Sequence, residues 1–140
     1  MQSNEKENLI ICRFFPGEDI YEQLKAVCQK HKVKTAVLLS GIGQVSEFEL
    51  GFFKEKGNYL PQKFQEPHEM VSLSGNILKQ AGVFEFHLHS ALSRFDKSMV
   101  GGHFISGKVS VTLEVVLLKT KLESIRREEM STGLDGLFLE

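Results

Sequence analysis

Seven apolar segments joined by short polar connections constrain the fold of this chain more than any other feature of its sequence. They comprise residues 8–15, 35–39, 48–53, 69–78, 83–92, 100–105 and 109–119. Turn-forming residues at 79–82, 93–98 and 106–107 separate the last four segments. Because a short connection places consecutive strands side by side and antiparallel, we predict a mainly antiparallel mixed sheet.

One amphipathic helix is predicted between the first two strands. Ile20, Leu24, Val27 and Cys28 recur at helical spacing, with polar residues between them. Asp19 precedes them and places a negative charge at the positive end of the helix. This main helix should cover one face of the sheet, which makes the predicted fold class α+β.

The length of 140 residues indicates a single domain over residues 1–140, large enough to bury a core without disulfide or metal support. Hydrophobic residues make up 41% and charged residues 25%, as in ordinary globular proteins. Residues 1–7 are polar and are expected to be flexible. Residues 54–67 should form a loop or ragged hairpin, and residues 122–140 should complete the domain, with strand and helix both open for 122–130.

Charge and cysteine usage indicate where the chain works and what it does not bind. A non-specific nucleic-acid binder needs an excess of basic residues to displace counterions, whereas the formal charge here is −1. No apolar run reaches the ~20 residues of a membrane span, and the polar N-terminus does not resemble a secretory signal. Cys12 and Cys28 lie at apolar positions and are interpreted as buried thiols. We therefore expect a cytoplasmic protein with neither nucleic acid nor membrane as a partner.

The segment 84–90 carries the clearest chemical pattern in the chain. It alternates with a period of two, so Glu85, His87 and His89 point to one face of a strand and the apolar residues between them to the other. Imidazoles two residues apart on a strand are ~7 Å apart at their Cα atoms and can converge on one ion. The pattern favours a metal site built on a sheet.

His103 is the third candidate ligand. A hairpin between the strands at 83–92 and 100–105, turning near residues 95–96, places His103 across from roughly His87 or Leu88. Gly101 and Gly102 precede it and favour a bulge, and a shift of one residue moves a side chain to the other face. Its convergence with the first two histidines is therefore a hypothesis.

Three neutral imidazoles suit a zinc-like divalent ion whose fourth position is open for water or substrate. Glu85 and Glu69 are candidates for orienting such a site or acting as a general base. The alternative interpretation is that the histidines are polar residues on a surface facing solvent or another subunit. His31 is expected to interact with the negative end of the helix, and His68 to lie in a surface loop.

Five segments occur in the order found in the plant and prokaryote conserved (PPC) domain, which the chain resembles in its stand-alone prokaryotic form. They are residues 15–20, 40–45, 69–75, 86–89 and 100–103. The resemblance extends over residues 9–120, and Arg126 or Arg127 is similar to an arginine near the end of the family pattern.

The resemblance implies a PPC-like fold assembled as a homotrimer, with His87, His89 and His103 clustered and able to hold a metal. Plant members carry a separate AT-hook for DNA, and this chain has no Arg-Gly-Arg-Pro sequence. Three functions are left open: a trimeric zinc-like metal protein with an undefined small-molecule substrate, acting as a hydrolase or lyase; a non-catalytic assembly or regulatory module; and a DNA-associated protein.

Overall fold

The computed structural model describes residues 1–139, which form ten elements. In chain order they are β1 (Gln2–Lys6), β2 (Leu9–Phe14), α1 (Ile20–Lys30), β3 (Thr35–Glu55), β4 (Asn58–Phe64), β5 (His68–Gln80), β6 (Val83–Ser93), β7 (Met99–Thr120), β8 (Ser124–Glu129) and β9 (Leu134–Leu139). All the strand pairings among these elements are antiparallel. The prediction of a mainly antiparallel sheet with one main helix is confirmed.

The first seven strands form one sheet in the order β1-β2-β7-β6-β5-β3-β4, and a further pairing of β3 with β7 closes part of it into a ring. Each of β3, β5, β6 and β7 thereby has neighbours on both sides. Their inward side chains fill a core that includes Phe48, Leu88 and Phe104, and Phe14 of β2 packs into the same core. The outer side of the ring near β6 is where the candidate site lies.

Helix α1 covers this core as predicted. Asp19 caps it by accepting a hydrogen bond from the Glu22 N–H at 3.0 Å. The buried face consists of Ile20, Leu24, Val27 and Cys28, the four residues expected from the spacing. Cys28 and Cys12 are both buried and unpaired, and burial raises the pKa of each thiol to about 12, so both are structural.

Two predicted breaks are absent from the strands. The segments at 35–39 and 48–53 belong to one strand, β3, and the segments at 100–105 and 109–119 belong to one strand, β7. The turn predicted at residues 106–107 is wrong, because Ser106 pairs with Glu49 inside the sheet. Irregularities between Leu38 and Leu50 let the long strand bend around the core.

Gly43 shows why a glycine is needed at the bend. Its φ is +154°, and a Cβ added there would lie 1.9 Å from the carbonyl oxygen of Thr112 on β7. A side chain would force the two strands apart.

The N-terminal segment corrects the expectation that residues 1–7 are flexible. Gln2–Lys6 form β1, an edge strand paired with β2. Side chains of β1 also reach the end of the helix: His31 Nδ1 lies 3.0 Å from Glu5 Oε2, and His31 Nε2 lies 2.9 Å from Ser3 Oγ. The imidazole therefore joins β1 to the helix, while the backbone N–H of His31 bonds to Val27 and closes the last turn.

The C-terminal segment, left open between strand and helix, is a hairpin of β8 and β9 that forms its own two-stranded sheet. The side chain of Gln80 on β5 holds it by accepting from the Arg126 N–H at 2.8 Å and donating to the Arg126 carbonyl at 3.1 Å. Residues 54–67 form the predicted hairpin through β4. No helix among residues 1–139 has the length and apolar character needed to cross a membrane.

Candidate metal centre

His87 and His89 project from the outer face of β6. Leu88 between them is fully buried, whereas both histidines are exposed, which is the alternation predicted for this strand. Their Nε2 atoms lie 3.2 Å apart and their ring centroids 5.2 Å apart. Because the side chain of Leu88 points to the inner face, the rings of His87 and His89 lie next to each other on the outer face.

His103 reaches the same face from β7. Its partner on β6 is His89, so the register expected from the sequence, opposite His87 or Leu88, is corrected by one or two residues. On its other side His103 pairs with Gly51 of β3. The preceding Gly102 has φ +157°, and a Cβ there would lie 2.8 Å from the Gly51 carbonyl oxygen. Glycine at this position allows the three strands to approach closely around His103.

The three rings form a nearly equilateral triangle. The centroid of His103 lies 5.4 Å from that of His87 and 5.3 Å from that of His89. One nitrogen from each ring can be chosen so that all three lie within 4.8 Å of one another. Two nitrogens bound to a tetrahedral zinc ion at ~2.0–2.1 Å are ~3.3 Å apart, so metal binding would draw the three rings closer together.

Partial desolvation favours the metal-binding form of two of the three histidines, His87 and His103. Desolvation lowers the pKa of His87, and the positive charge of Arg126 and the neighbouring His89 lower it further. Desolvation also lowers the pKa of His103, and electrostatic repulsion from His87, His89 and Arg126 lowers it further. Because a neutral imidazole has a free nitrogen lone pair, these shifts favour metal binding near neutral pH.

An open cleft of about 1030 Å³ adjoins the three histidines. Apolar side chains that line it come from several strands and from the C-terminal hairpin: Phe53, Tyr59, Ile105 and Leu134. Tyr59 of β4 stands edge-on to the ring of His103, with the centroids 6.3 Å apart. A small molecule therefore has room beside the cluster.

The two candidate carboxylates have different positions. Glu85 lines the cleft on the same face of β6 as His87 and His89. Glu69 does not reach it: it pairs with Ser93 at the far end of β6 and accepts a hydrogen bond from Gln44 at 2.8 Å. Of these two carboxylates, the structure brings only Glu85 near the histidines. The expectation that Glu69 serves the site is corrected, because Glu69 lies five residues before Ser74, the cross-strand partner of His89.

Arg126 is a residue of the cleft that the periodicity of the sequence did not identify. Its guanidinium is buried, donates to the side chain of Asn76 and to the Asp135 carbonyl at 3.5 Å, and lies 3.7 Å from Glu85 Oε2. Asn76 is the cross-strand partner of His87, so this cation lies next to the histidine cluster. Only the similarity to a family arginine pointed to it, because the charged segment around it has no clear pattern.

His68 lies outside the cluster, and the expectation of a surface loop is wrong. It is the first residue of β5, is 4% exposed and packs edge-on against Phe48 and Phe64. Its Nδ1 lies 2.9 Å from the Glu66 carbonyl. The ring is part of the core, and the apolar partners that bury it come from distant parts of the chain.

Solved structures closely match this fold. A candidate DNA-binding protein from Bacteroides thetaiotaomicron has a TM-score of 0.91 at 26% sequence identity, with 99% of this chain and 96% of that chain covered. A metal-containing protein from Archaeoglobus fulgidus has a TM-score of 0.84 at 26% identity, with 96% and 95% covered.

Sequence comparison identifies a larger protein with a similar segment. The bifunctional protein GlmU of Synechococcus sp. (strain JA-3-3Ab) is 28% identical over 130 residues, which is 91% of this chain. The chain spans only 20% of the length of that relative.

The family model described as the Plants and Prokaryotes Conserved (PCC) domain matches residues 1–121, from β1 to the end of β7. The matched region contains all three histidines and the strands that hold them. The resemblance predicted from the sequence is therefore confirmed, and the chain belongs to the plant and prokaryote conserved domain family.

Proposed function

We propose that the chain is a metal-binding protein in which His87, His89 and His103 hold one zinc-like divalent ion. The observation that carries this proposal is the placement of one nitrogen from each ring within 4.8 Å of the others. Three imidazoles from two adjacent strands match the ligand number and type of zinc sites that keep a fourth position open. The name of the structurally similar metal-containing protein from Archaeoglobus fulgidus agrees with this assignment.

The surrounding residues suit a site that also acts on a ligand. A bound zinc ion polarises a carbonyl group and lowers the pKa of its water toward ~7. Glu85, on the same face as the histidines, is placed to accept or return a proton at its carboxylate. Arg126 lies beside Glu85 and keeps that carboxylate close to the cluster. We propose hydrolysis or a lyase reaction as the activity of this site.

Elemental analysis of protein purified without an affinity tag tests metal binding. We expect about one zinc-like ion per chain, lost in His87→Ala, His89→Ala and His103→Ala. His31→Gln is the matched control, since His31 contacts β1 and should leave the metal content unchanged. A wild-type chain that takes up no metal after incubation with zinc contradicts the proposal.

Assembly into a homotrimer is the second part of the proposal. Leu9, Leu118 and Val37 are direct neighbours on three adjacent strands and are each between 37% and 40% exposed. Ile11, on the same face two residues from Leu9, is 55% exposed. An apolar row of this kind on a sheet is typical of a surface covered by another subunit. Light scattering should give three times the chain mass of 15.8 kDa, and a monomer would contradict this.

DNA association is the alternative function, and it is the one named for the similar Bacteroides thetaiotaomicron protein. The formal charge of −1 gives this chain no general attraction for phosphates. We therefore expect no retardation of duplex DNA in a native gel at physiological salt. Retardation that weakens with added salt would instead support a DNA-associated protein.

A further inference from the structure

The cleft beside the histidines combines an apolar wall with one buried cation. Its volume of about 1030 Å³ is at the upper end of the range for small-molecule sites. Phe53 and Tyr59, which are cross-strand partners, form part of the wall with Leu134, and Tyr59 stands edge-on to His103. A ligand of this cleft therefore needs an apolar body.

The cation is Arg126, which is only 8% exposed. A guanidinium has five N–H groups, and Arg126 uses two of them in hydrogen bonds, to Asn76 and to the Asp135 carbonyl. Glu85 lies 3.7 Å from Nε, close enough for ionic attraction but not for a hydrogen bond. The other N–H groups make no hydrogen bond within residues 1–139, so they are able to donate to an anionic ligand.

The position of Arg126 links it to the metal ligands. It donates to Asn76, which pairs directly with His87, and it contacts Glu85, two residues before His87 on the same face of β6. The guanidinium thus lies next to the part of β6 that carries His87. One small anion can therefore contact both the arginine and an ion held by the histidines.

The charges of the cleft favour a ligand with a single negative charge. A divalent ion and Arg126 supply positive charge, and the carboxylates of Glu85 and Asp135 offset part of it. One net positive charge is left, which a monoanion neutralises. A phosphate dianion would carry excess negative charge next to the two carboxylates, which repel it.

We propose that this cleft binds an apolar monocarboxylate, with its carboxylate between the histidine cluster and Arg126 and its apolar body against Phe53 and Tyr59. The inference rests on the proposed function, because it requires the metal. Arg126 belongs to β8, which begins at Ser124, whereas the family match ends at residue 121. The C-terminal hairpin therefore supplies the residue that selects the ligand.

Calorimetric titration of the zinc-loaded protein tests the ligand class. Phenylacetate should bind about tenfold or more tightly than acetate, since its ring leaves water for an apolar wall. Phenyl phosphate should bind more weakly than phenylacetate, and benzyl alcohol should show no measurable binding. Equal affinities for phenylacetate and acetate, or tighter binding of phenyl phosphate, overturn the inference.

Variants of the hairpin test the role of Arg126. Arg126→Gln should weaken phenylacetate binding by about tenfold or more with its zinc content unchanged, and Arg126→Lys should restore part of the affinity. Arg127→Gln is the matched control, since Arg127 stacks over Phe138 on the same hairpin and does not line the cleft. Undiminished binding in Arg126→Gln overturns the assignment.

The metal content of each sample separates the two proposals. A wild type that takes up no zinc overturns the proposed function, whereas a zinc-loaded wild type without preference for phenylacetate overturns only the ligand class. If Arg126→Gln does not fold, as shown by circular dichroism, the titration series on the wild-type protein decides alone.

Discussion

His89 on β6 and His103 on β7 are direct cross-strand partners, and their ring centroids lie 5.3 Å apart. This pairing fixes the candidate metal site to the register of two neighbouring strands. A metal ion bound here would therefore tie β6 to β7, so metal binding and the stability of the sheet should be coupled.

Added zinc should raise the melting temperature of the metal-free protein. A ligand that binds only the folded state stabilises it by about 2.7 kcal/mol at a concentration one hundred times its dissociation constant. The increase should disappear in His103→Ala and persist in His31→Gln, measured by differential scanning fluorimetry. An equal increase in all three proteins would show that zinc binds elsewhere.

Gly75→Ala should destabilise the fold by several kcal/mol and disturb the site. Gly75 has φ +151°, and an added Cβ would lie 1.9 Å from the carbonyl oxygen of His87 itself. Gly82→Ala is the matched control: φ is +84° and no atom lies within 4 Å of the added Cβ, so only the backbone strain of ~1 kcal/mol applies. Urea unfolding compares the two, and equal losses would contradict the close strand approach.

Glu5→Gln should reduce stability at neutral pH and have no effect in acid. The hydrogen bond from Lys119 at 2.6 Å lowers the pKa of Glu5 below its ordinary value of 4.5, burial opposes this, and His31 adds to the lowering. A carboxyl group with a depressed folded-state pKa stabilises the fold above its unfolded pKa, and the contribution is lost as the pH falls through the folded value.

The measurement is the free energy of unfolding of Glu5→Gln and wild type at pH 7 and near pH 3. Glu7→Gln is the control, because Glu7 is exposed and forms no ion pair among residues 1–139. A difference between Glu5→Gln and wild type that is the same at both pH values would rule out the ion pair as its cause.

Gln80→Ala should loosen the C-terminal hairpin without unfolding the main sheet. The two hydrogen bonds between Gln80 and the backbone of Arg126 are worth ~1 kcal/mol each. Hydrogen exchange should become faster in residues 124–139 and stay unchanged in β6. Gln62→Ala on exposed β4 should leave both regions unchanged, and a hairpin unaffected by Gln80→Ala would contradict this attachment.

The alternation of residues 84–90 predicted the common face of Glu85, His87 and His89, because a strand repeats every two residues whatever surrounds it. The same local rules placed the helix and its four buried residues. The partner of His103 could not be read from the sequence, since its register depends on the contact of Gly102 with β3, a strand some fifty residues earlier.

The features missed by sequence reasoning all depend on distant contacts. His68 is buried by Phe48 and Phe64, and Arg126 reaches the cleft through Asn76 on another sheet. Residues 106–107 carry a turn signal, yet the pairing of β7 with β3 keeps them in a continuous strand. Tertiary contacts therefore override local preference at these positions.

Diffraction data from crystals of the tag-free protein, collected on both sides of the zinc absorption edge, test the central claim most directly. The account predicts one anomalous peak per chain, between the rings of His87, His89 and His103 and at ~2.0–2.1 Å from a nitrogen of each. Zinc-soaked crystals with no peak at that point, or with the three rings turned away from one another, would contradict it.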